Sequence, residues 1–203
     1  MDYASAQKIL AKRNGFRQSL KRDISHATEI IKIHRELVDK DEAELNILMK
    51  KSNKKKSNKK SQDKIRAVLA SLHVHKSQVK FHKQEIKVCS YVYNLDIGNS
   101  ARCLHKMKEL AHESIEKALL CYEVAPMFNC HTITSHRITN VCSHTSTEKE
   151  MAYKEYCDSI MRIVDKCELV FDIVNNIVLA KEIREAKKNM KNRTKNSTLI
   201  ELD

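Results

Sequence analysis

Glycine and proline are scarce in this sequence, with two and one among 203 residues. These residues supply the tight turns of sheets and of mixed folds, so their scarcity argues against a chain rich in strands. Tryptophan is absent and only four phenylalanines are present. A compact aromatic core is therefore excluded, and the thin aliphatic core of an elongated bundle is favoured. We predict an all-α fold.

Long apolar runs are also missing. The sequence has no stretch of about 18 consecutive apolar residues, and its N-terminal residues lack the apolar segment of a signal peptide. Cysteine occurs seven times, an odd number, and four of the cysteines fall within helical apolar patterns, which argues against a disulfide framework. We expect a cytoplasmic or nuclear protein that is neither secreted nor membrane-spanning.

Positive charge is in excess. The 38 Lys and Arg residues against 26 Asp and Glu give a formal net charge of +12 and a pI of about 9.3. Such a balance attracts polyanions, of which nucleic acid and anionic membrane surfaces are the main classes.

Two apolar seams with alternating steps of three and four residues predict two long helices. The first seam consists of Leu20, Ile24, Ala27, Ile31, His34, Val38, Asp41, Leu45 and Leu48. The second consists of Ile65, Val68, Leu72, His75, Val79, His82, Ile86, Cys89 and Tyr93. Folded back on each other they form an antiparallel coiled-coil hairpin over 16–97. In that register each polar seam residue faces an apolar partner, and polar seam positions can fix register at a cost in stability.

The rest of the chain predicts two more helices. A third, shorter helix spans 100–125 and is closed by Pro126, and a last helix spans 148–189 after the capping pair Thr147 and Glu150. The apolar surface of 160–180 is wider than one seam, which places this stretch at the centre of the bundle or in an oligomer interface. Residues 126–146 lack a helical period and predict an irregular segment or a short strand pair.

These elements make one domain over 1–189, followed by a disordered basic tail over 190–203. The connection of the hairpin, residues 50–61, predicts a mobile loop because it holds seven lysines and no acidic residue.

Clustered lysines engage phosphates without demanding a fixed geometry and give affinity without sequence specificity. We therefore predict a nucleic-acid-binding surface built from this loop and from basic groups near both chain ends. RNA is favoured as its partner, and the sequence does not separate RNA from DNA. The residues of this surface are Lys50, Lys51, Lys54, Lys55, Lys56, Lys59, Lys60, Lys12, Arg13, Arg17, Lys187 and Lys188. The lysine run also fits a nuclear-localisation signal, or a loop that only keeps the rod in solution.

Soft and borderline metal ligands are concentrated in the segment without helical period. Cys130, His136, Cys142 and His144 could bind a structural zinc ion, although their spacing is not that of the common zinc fingers. The alternative is a set of ordinary cysteines and surface histidines, and no other cofactor is implied. The histidines at positions 73, 75, 82, 105 and 112 predict core-edge or solvent positions, since none has a partner at zinc-ligand spacing.

No phosphate-cradling glycine loop and no local nucleophile and base are present, so an enzyme is not expected. The leading hypothesis is a helical accessory protein that binds nucleic acid nonspecifically, and the composition would suit a viral one. The alternative is a coiled-coil interaction or assembly scaffold whose seams bind partner helices or a second copy. A membrane-surface role lacks an anchor helix bearing Trp or Phe.

Overall fold

In the residues that the structure describes, the fold consists of four long helices and one small strand hairpin. The computed structural model describes residues 13–54, 59–124, 128–134, 137–143 and 146–200. In chain order the elements are α1 (Arg13–Lys54), α2 (Lys59–Tyr93), α3 (Ile97–Val124), β1 (Phe128–Thr134), β2 (Arg137–Ser143) and α4 (Ser146–Ile200). The helices pack against one another, which confirms the predicted all-α bundle.

The first two helices form the predicted antiparallel pair. Ion pairs cross between them, at 2.9 Å from Lys64 Nζ to Glu44 Oε1 and at 2.7 Å from Lys76 Nζ to Glu42 Oε1. Along α1 the seam residues Leu20 and Ala27 are buried, whereas Leu45 is only half-buried. Burial of the α1 seam therefore decreases from Leu20 toward Leu45. Over its length α1 packs mainly against α2.

The central element of the bundle is α2. It packs against α1 on one side and α3 on another, and also contacts α4. Its fully buried side chains include Phe81, Val88 and Val92, which share one side of the helix at 3.6 residues per turn. The buried seam residues Leu72 and His75 lie on another side, where His75 contacts His34 of α1. A helix covered from several directions is buried around most of its circumference, so α2 has the central place in the bundle. For 160–180 this place was one of two predicted alternatives, the other being an oligomer interface.

Only one face of α4 is buried, through Ile160, Val164, Cys167 and Val174. Leu169 is 62% exposed and Leu179 is 50% exposed. Leu169 and Leu179 therefore lie outside the packed face of α4, whereas the half-buried Ile163 and Val170 pack against the core at the edge of that face.

The turn between α2 and α3 does not use glycine. Leu95 takes a left-handed conformation with φ of 62°, and its N–H donates to the carbonyl of Val92. Asp96 then caps α3, because its Oδ1 accepts from the backbone N–H of Asn99 at 3.1 Å. Gly98 lies inside the first turn of α3.

Residues 126–146 were predicted as an irregular segment or a short strand pair, and the structure shows the strand pair over 128–134 and 137–143. β1 and β2 are antiparallel, with Thr132 opposite Thr139 and Ile133 opposite Ile138. β-branched residues at these positions favour extended backbone over helix. The hairpin lies against α4.

The prediction of a disordered tail from residue 190 is wrong as far as Ile200, since α4 continues to that residue. No glycine or proline occurs between Lys181 and Ile200 to end the helix. An ion pair of 3.8 Å between Lys181 and Glu185 adds support one turn apart. Residues 201–203 lie outside the described residues.

Candidate nucleic-acid interface

The end of the rod where α1 and α2 meet carries exposed lysines. Lys50 and Lys51 lie in the last turns of α1, and Lys59 and Lys60 open α2. We call these four residues the lysine end. Their side chains are exposed, and none makes an ion pair with any residue that the structure describes.

The predicted loop over 50–61 is wrong in extent, because helix reaches Lys54 from one side and resumes at Lys59 on the other. Lysine is a good helix former, and this stretch contains neither glycine nor proline. Lys54 is thus the last residue of α1, while Lys55 and Lys56 lie outside the described residues. Five of the seven lysines of this stretch therefore lie in the last turns of α1 or at the start of α2.

Helix polarity adds to the positive charge at this end. The first turn of α2 contains no acidic residue, so no carboxylate within that turn offsets the partial positive charge at the start of the helix. Asp63 follows that turn. Free N–H groups at a helix start attract phosphate, and Lys59 and Lys60 attract the same ligand.

A second basic region lies at the other end of α1. The Arg17 guanidinium is 5.1 Å from the centroid of the Tyr93 ring, and Lys21 Nζ is 5.8 Å from it. These cation–π contacts hold both charges against the bundle. Arg13 begins α1, and Lys12 lies outside the described residues.

Lys187 and Lys188 are exposed near the end of α4. Lys166 Nζ contacts Asp23 Oδ1, and Gln78 contacts Tyr156, so α4 runs toward the start of α1 as its residue number rises. These two lysines consequently belong to the same end of the rod as Arg17. About 50 Å of α1 separates Arg17 from Lys51 at 1.5 Å per residue, so the predicted basic residues form two separate regions.

The predicted zinc ligands fall on the strand hairpin and its connections. Cys142 pairs opposite Asn129, and Cys130 pairs opposite Val141. Successive register positions alternate between the two faces of a strand pair, so Cys130 and Cys142 belong to opposite faces. His136 and His144 lie outside the described residues. Within the described chain, no group of three or more His, Cys, Asp or Glu side chains is arranged to hold a metal ion.

Three seam histidines instead converge inside the α1–α2 pair, together with two carboxylates. His34, His75 and His82 are each at most 5% exposed. We call these histidines, with Asp41 and Glu85, the buried polar centre. The sequence set the seam residues opposite apolar partners, and the structure shows that they contact each other.

Contacts within the buried polar centre are close. His34 Nδ1 lies 3.1 Å from His75 Nδ1, so one of the two nitrogens donates a hydrogen bond to the other. His82 Nδ1 donates to Glu85 Oε2 at 2.7 Å. His75 Nε2 lies 3.9 Å from Asp41 Oδ2. Burial raises the pKa of Asp41, and a hydrogen bond from the side chain of Ser71 opposes this effect.

Sequence reasoning placed His75 and His82 at the core edge and did not group them with His34. The signal was present, because all three occupy seam positions. A seam side chain packs between several residues of the facing helix, so His34 reaches both His75 and His82, which are seven residues apart. By contrast His73, His105 and His112 are exposed.

No family model, curated protein or solved structure matches the chain. None of the helices in the described part of the chain has the length and apolar character needed to cross a membrane.

Proposed function

We propose that this protein is a non-catalytic, nonspecific nucleic-acid-binding protein, with RNA as the expected partner, that engages phosphates through the lysine end. The observation that supports this most is the set of four exposed lysines at one end of the bundle, which make no ion pair with the residues that the structure describes. The bundle supplies a rigid support for these charges.

The charge arrangement favours phosphate over acidic protein partners. Lysine behaves as a point charge with three donors and tolerates many phosphate positions. The lysine end presents such charges on two neighbouring helix ends, and one of them is the start of a helix, whose dipole favours phosphate. The chain contains no Trp and only four Phe, so it offers few aromatic rings on which bases could stack. Binding is therefore expected to depend on backbone charge and to ignore base sequence.

Binding of fluorescent RNA and DNA, single-stranded and duplex, tests the proposal by anisotropy across about 50 to 300 mM salt. The test variant changes the lysine end to glutamine: Lys50→Gln, Lys51→Gln, Lys59→Gln and Lys60→Gln. Log K falls as log salt concentration rises, and each lost phosphate contact makes this slope shallower by about 0.7 to 0.9. We expect the slope to fall by about 3 if all four lysines contact phosphate.

A matched control removes the same charge elsewhere: Lys32→Gln, Lys83→Gln, Lys87→Gln and Lys154→Gln. These lysines are exposed along the sides of the bundle. The control has the same net charge as the test variant, so it isolates position from total charge. Equal losses in both variants would show a diffuse charge effect, and absence of binding by folded wild-type protein at the lowest salt would refute the proposal.

A second candidate function rests on α4. Its exposed apolar residues Leu179, Ile183 and Met190 follow helical spacing beyond the packed part of the bundle, with exposures of 50%, 48% and 71%. Exposed apolar positions of this kind favour an interaction or assembly scaffold. In that case the lysines would serve nuclear import or solubility.

Ile183→Asp separates the two functions. In a scaffold it would abolish self-association or partner binding measured by light scattering or pull-down, and RNA affinity would stay unchanged. If the protein binds nucleic acid instead, the lysine-end variant should lower RNA affinity and Ile183→Asp should leave it unchanged. A fluorescent fusion of the lysine-end variant reports on nuclear import in the same way.

A further inference from the structure

The side of α4 that faces away from the bundle carries a heptad pattern of its own. Cys167 is buried in the core, whereas Leu169 is exposed and is turned from it by about 200° at 3.6 residues per turn. Alternating steps of three and four residues continue from Leu169 to Met190, and all seven positions are exposed. We call these positions the outer seam: Leu169, Asp172, Asn176, Leu179, Ile183, Ala186 and Met190.

Polar residues bound the outer seam on both sides. The heptad positions before it are Arg162 and Asp165, and those after it are Arg193 and Ser197. Five of the seven positions inside the outer seam are apolar, and none of these four flanking positions is. The apolar pattern is therefore confined to a length of helix of about 30 Å.

The outer seam continues where α4 leaves the bundle. Beyond Val174 no side chain of α4 is fully buried as far as Met190, and all ten residues over 181–190 are exposed. Most helical stability in proteins comes from packing an apolar face, and a helix without such packing is marginal in water. α4 nevertheless stays helical through this stretch, and the outer seam is the apolar face that it presents there.

Asn176 makes the outer seam complementary to a second copy of itself. It belongs to the series Leu169, Asn176, Ile183 and Met190, which are seven residues apart and take the a positions of a coiled coil. A single asparagine at an a position specifies register and oligomer state, because it pairs with the same residue of an identical helix. A purely apolar partner helix would leave the amide of Asn176 without a hydrogen bond.

The charges beside the outer seam match an identical parallel helix. Glu182 precedes Ile183 and takes a g position, and Lys187 follows Ala186 and takes an e position. In a parallel pair the e and g residues of the two helices form ion pairs, so Glu182 faces Lys187 of the partner subunit on both sides of the pair. In the antiparallel pairing that sets Leu179 opposite Ile183, Glu182 would lie near its own copy, and like charges repel.

We propose that the outer seam of α4 binds the outer seam of a second copy, forming a parallel, two-stranded coiled coil in register over 169–190. This pairing supplies the partner for the second candidate function, on which it rests, and it is independent of phosphate binding at the lysine end. Asp172 opposes the pairing, because the parallel register sets two carboxylates opposite each other. The dimer is therefore expected to be reversible and to depend on protein concentration.

Light scattering of the full-length chain across about 1 to 200 μM tests the proposal, and we expect the molar mass to rise from one chain to two. Asp172→Leu removes the repulsion and adds an apolar layer, so it should tighten the dimer by about 10-fold or more. The lysine-end variant should dimerise as wild type does. A wild-type chain and an Asp172→Leu chain that both stay monomeric at the highest concentration would overturn the proposal.

A pair of matched variants tests the surface. Ile183→Asp should abolish the dimer, because it buries a charge in the outer seam. Leu120→Asp is the control, since Leu120 lies on α3 and is 45% exposed against 48% for Ile183. Equal loss of the dimer in both variants would place the interface elsewhere. If wild type is monomeric and Ile183→Asp still weakens capture of a different protein, the scaffold function stands and the second copy is the wrong partner.

Charge reversal tests the register. Glu182→Lys alone and Lys187→Glu alone should each weaken the dimer by about 2-fold to 10-fold. The double variant restores both ion pairs with reversed sign and should recover wild-type affinity. Single variants without effect, or a double variant weaker than either, would contradict the parallel register.

Disulfide crosslinking tests the orientation. Ala186→Cys sets two thiols opposite each other in the parallel dimer and should yield a covalent dimer on a non-reducing gel. Lys188→Cys lies on the outer side of the same turn and should not crosslink. The wild-type chain, whose Cys103 and Cys157 are half-buried, gives the background. Equal crosslinking at 186 and 188, or none at 186 in a chain that light scattering shows to be dimeric, would overturn the proposed pairing.

Discussion

Ionisable side chains occur in two opposite environments within the α1–α2 pair. At the lysine end, Lys50, Lys51, Lys59 and Lys60 are exposed and make no ion pair within the described chain. In the buried polar centre, His34, His75 and His82 are almost fully buried and bound to each other or to carboxylates. The two regions lie on the same two helices. The three histidines belong to the seams, whereas the four lysines lie beyond the ends of the seams.

The difference shows how burial decides what a charged or polar residue can do. An exposed lysine keeps its water shell and is free to exchange it for a phosphate. A buried histidine has given up its water, so it must find a partner in the protein. Changes at the lysine end should therefore alter binding and leave folding intact, whereas changes near the centre should alter folding first.

The largest expected effect compares packing at the two regions. Phe81, next to His82, is fully buried, and Met49 at the lysine end is 51% exposed. Phe81→Ala should lower the free energy of unfolding by about 3 to 5 kcal/mol, because it leaves a cavity in the centre of the bundle. Met49→Ala should change it by less than about 0.5 kcal/mol. Urea unfolding followed by circular dichroism measures both, and similar losses would show that the bundle is equally packed at both places.

A smaller effect follows when charge is forced onto a buried group. Burial raises the pKa of Cys121 to about 11 from 9.0, and the nearby Lys149 opposes this effect. Between these values the unfolded chain has lost the thiol proton and the folded chain retains it. Stability should therefore fall as pH rises through this window, by about 1 kcal/mol per pH unit from this group.

Cys121→Ala tests this prediction, since it removes the thiol. The stability difference between wild type and the variant should shift in favour of the variant from pH 9 to 11. Urea unfolding at a series of pH values measures it. A difference that stays constant across the window would mean that the thiolate is not disfavoured at this position.

The smallest effect is expected from the lysine end itself. Changing its four lysines to glutamine should alter the free energy of unfolding by less than about 0.5 kcal/mol, since exposed charges away from partners contribute little. The matched variant with Lys32, Lys83, Lys87 and Lys154 changed should behave alike. A large loss of unfolding free energy in the lysine-end variant alone would mean that these side chains support the fold. The lysine end and the buried polar centre would then not differ in their effect on stability.

The sequence allowed the helices and the hairpin partners to be predicted, because heptad spacing depends on local periodicity. The central position of α2 was missed although a signal for it was present. Val74, Phe81, Val88 and Val92 lie outside the seam, recur at steps of seven and four residues, and are buried, so they mark a second apolar face. The hydrogen bond from the Gln78 amide to the Tyr156 hydroxyl joins helices 78 residues apart, and nothing local indicates it.

The convergence of the histidines was missed for a related reason. Pairing seam residues one to one ignores the staggered packing that brings His34 against residues on both sides of its nominal partner. The lysine end was found by composition alone, but its helical geometry was not, since a lysine run can be helical or extended with little difference in free energy.

Lysine footprinting tests the central claim most directly. The protein, alone and saturated with short RNA at low salt, is treated with an amine-acetylating reagent, and modification at each lysine is measured by mass spectrometry. The account predicts that RNA slows acetylation of Lys50, Lys51, Lys59 and Lys60, while Lys32, Lys83, Lys87 and Lys154 keep their rates. Uniform protection of both sets, or protection of the second set alone, would contradict it.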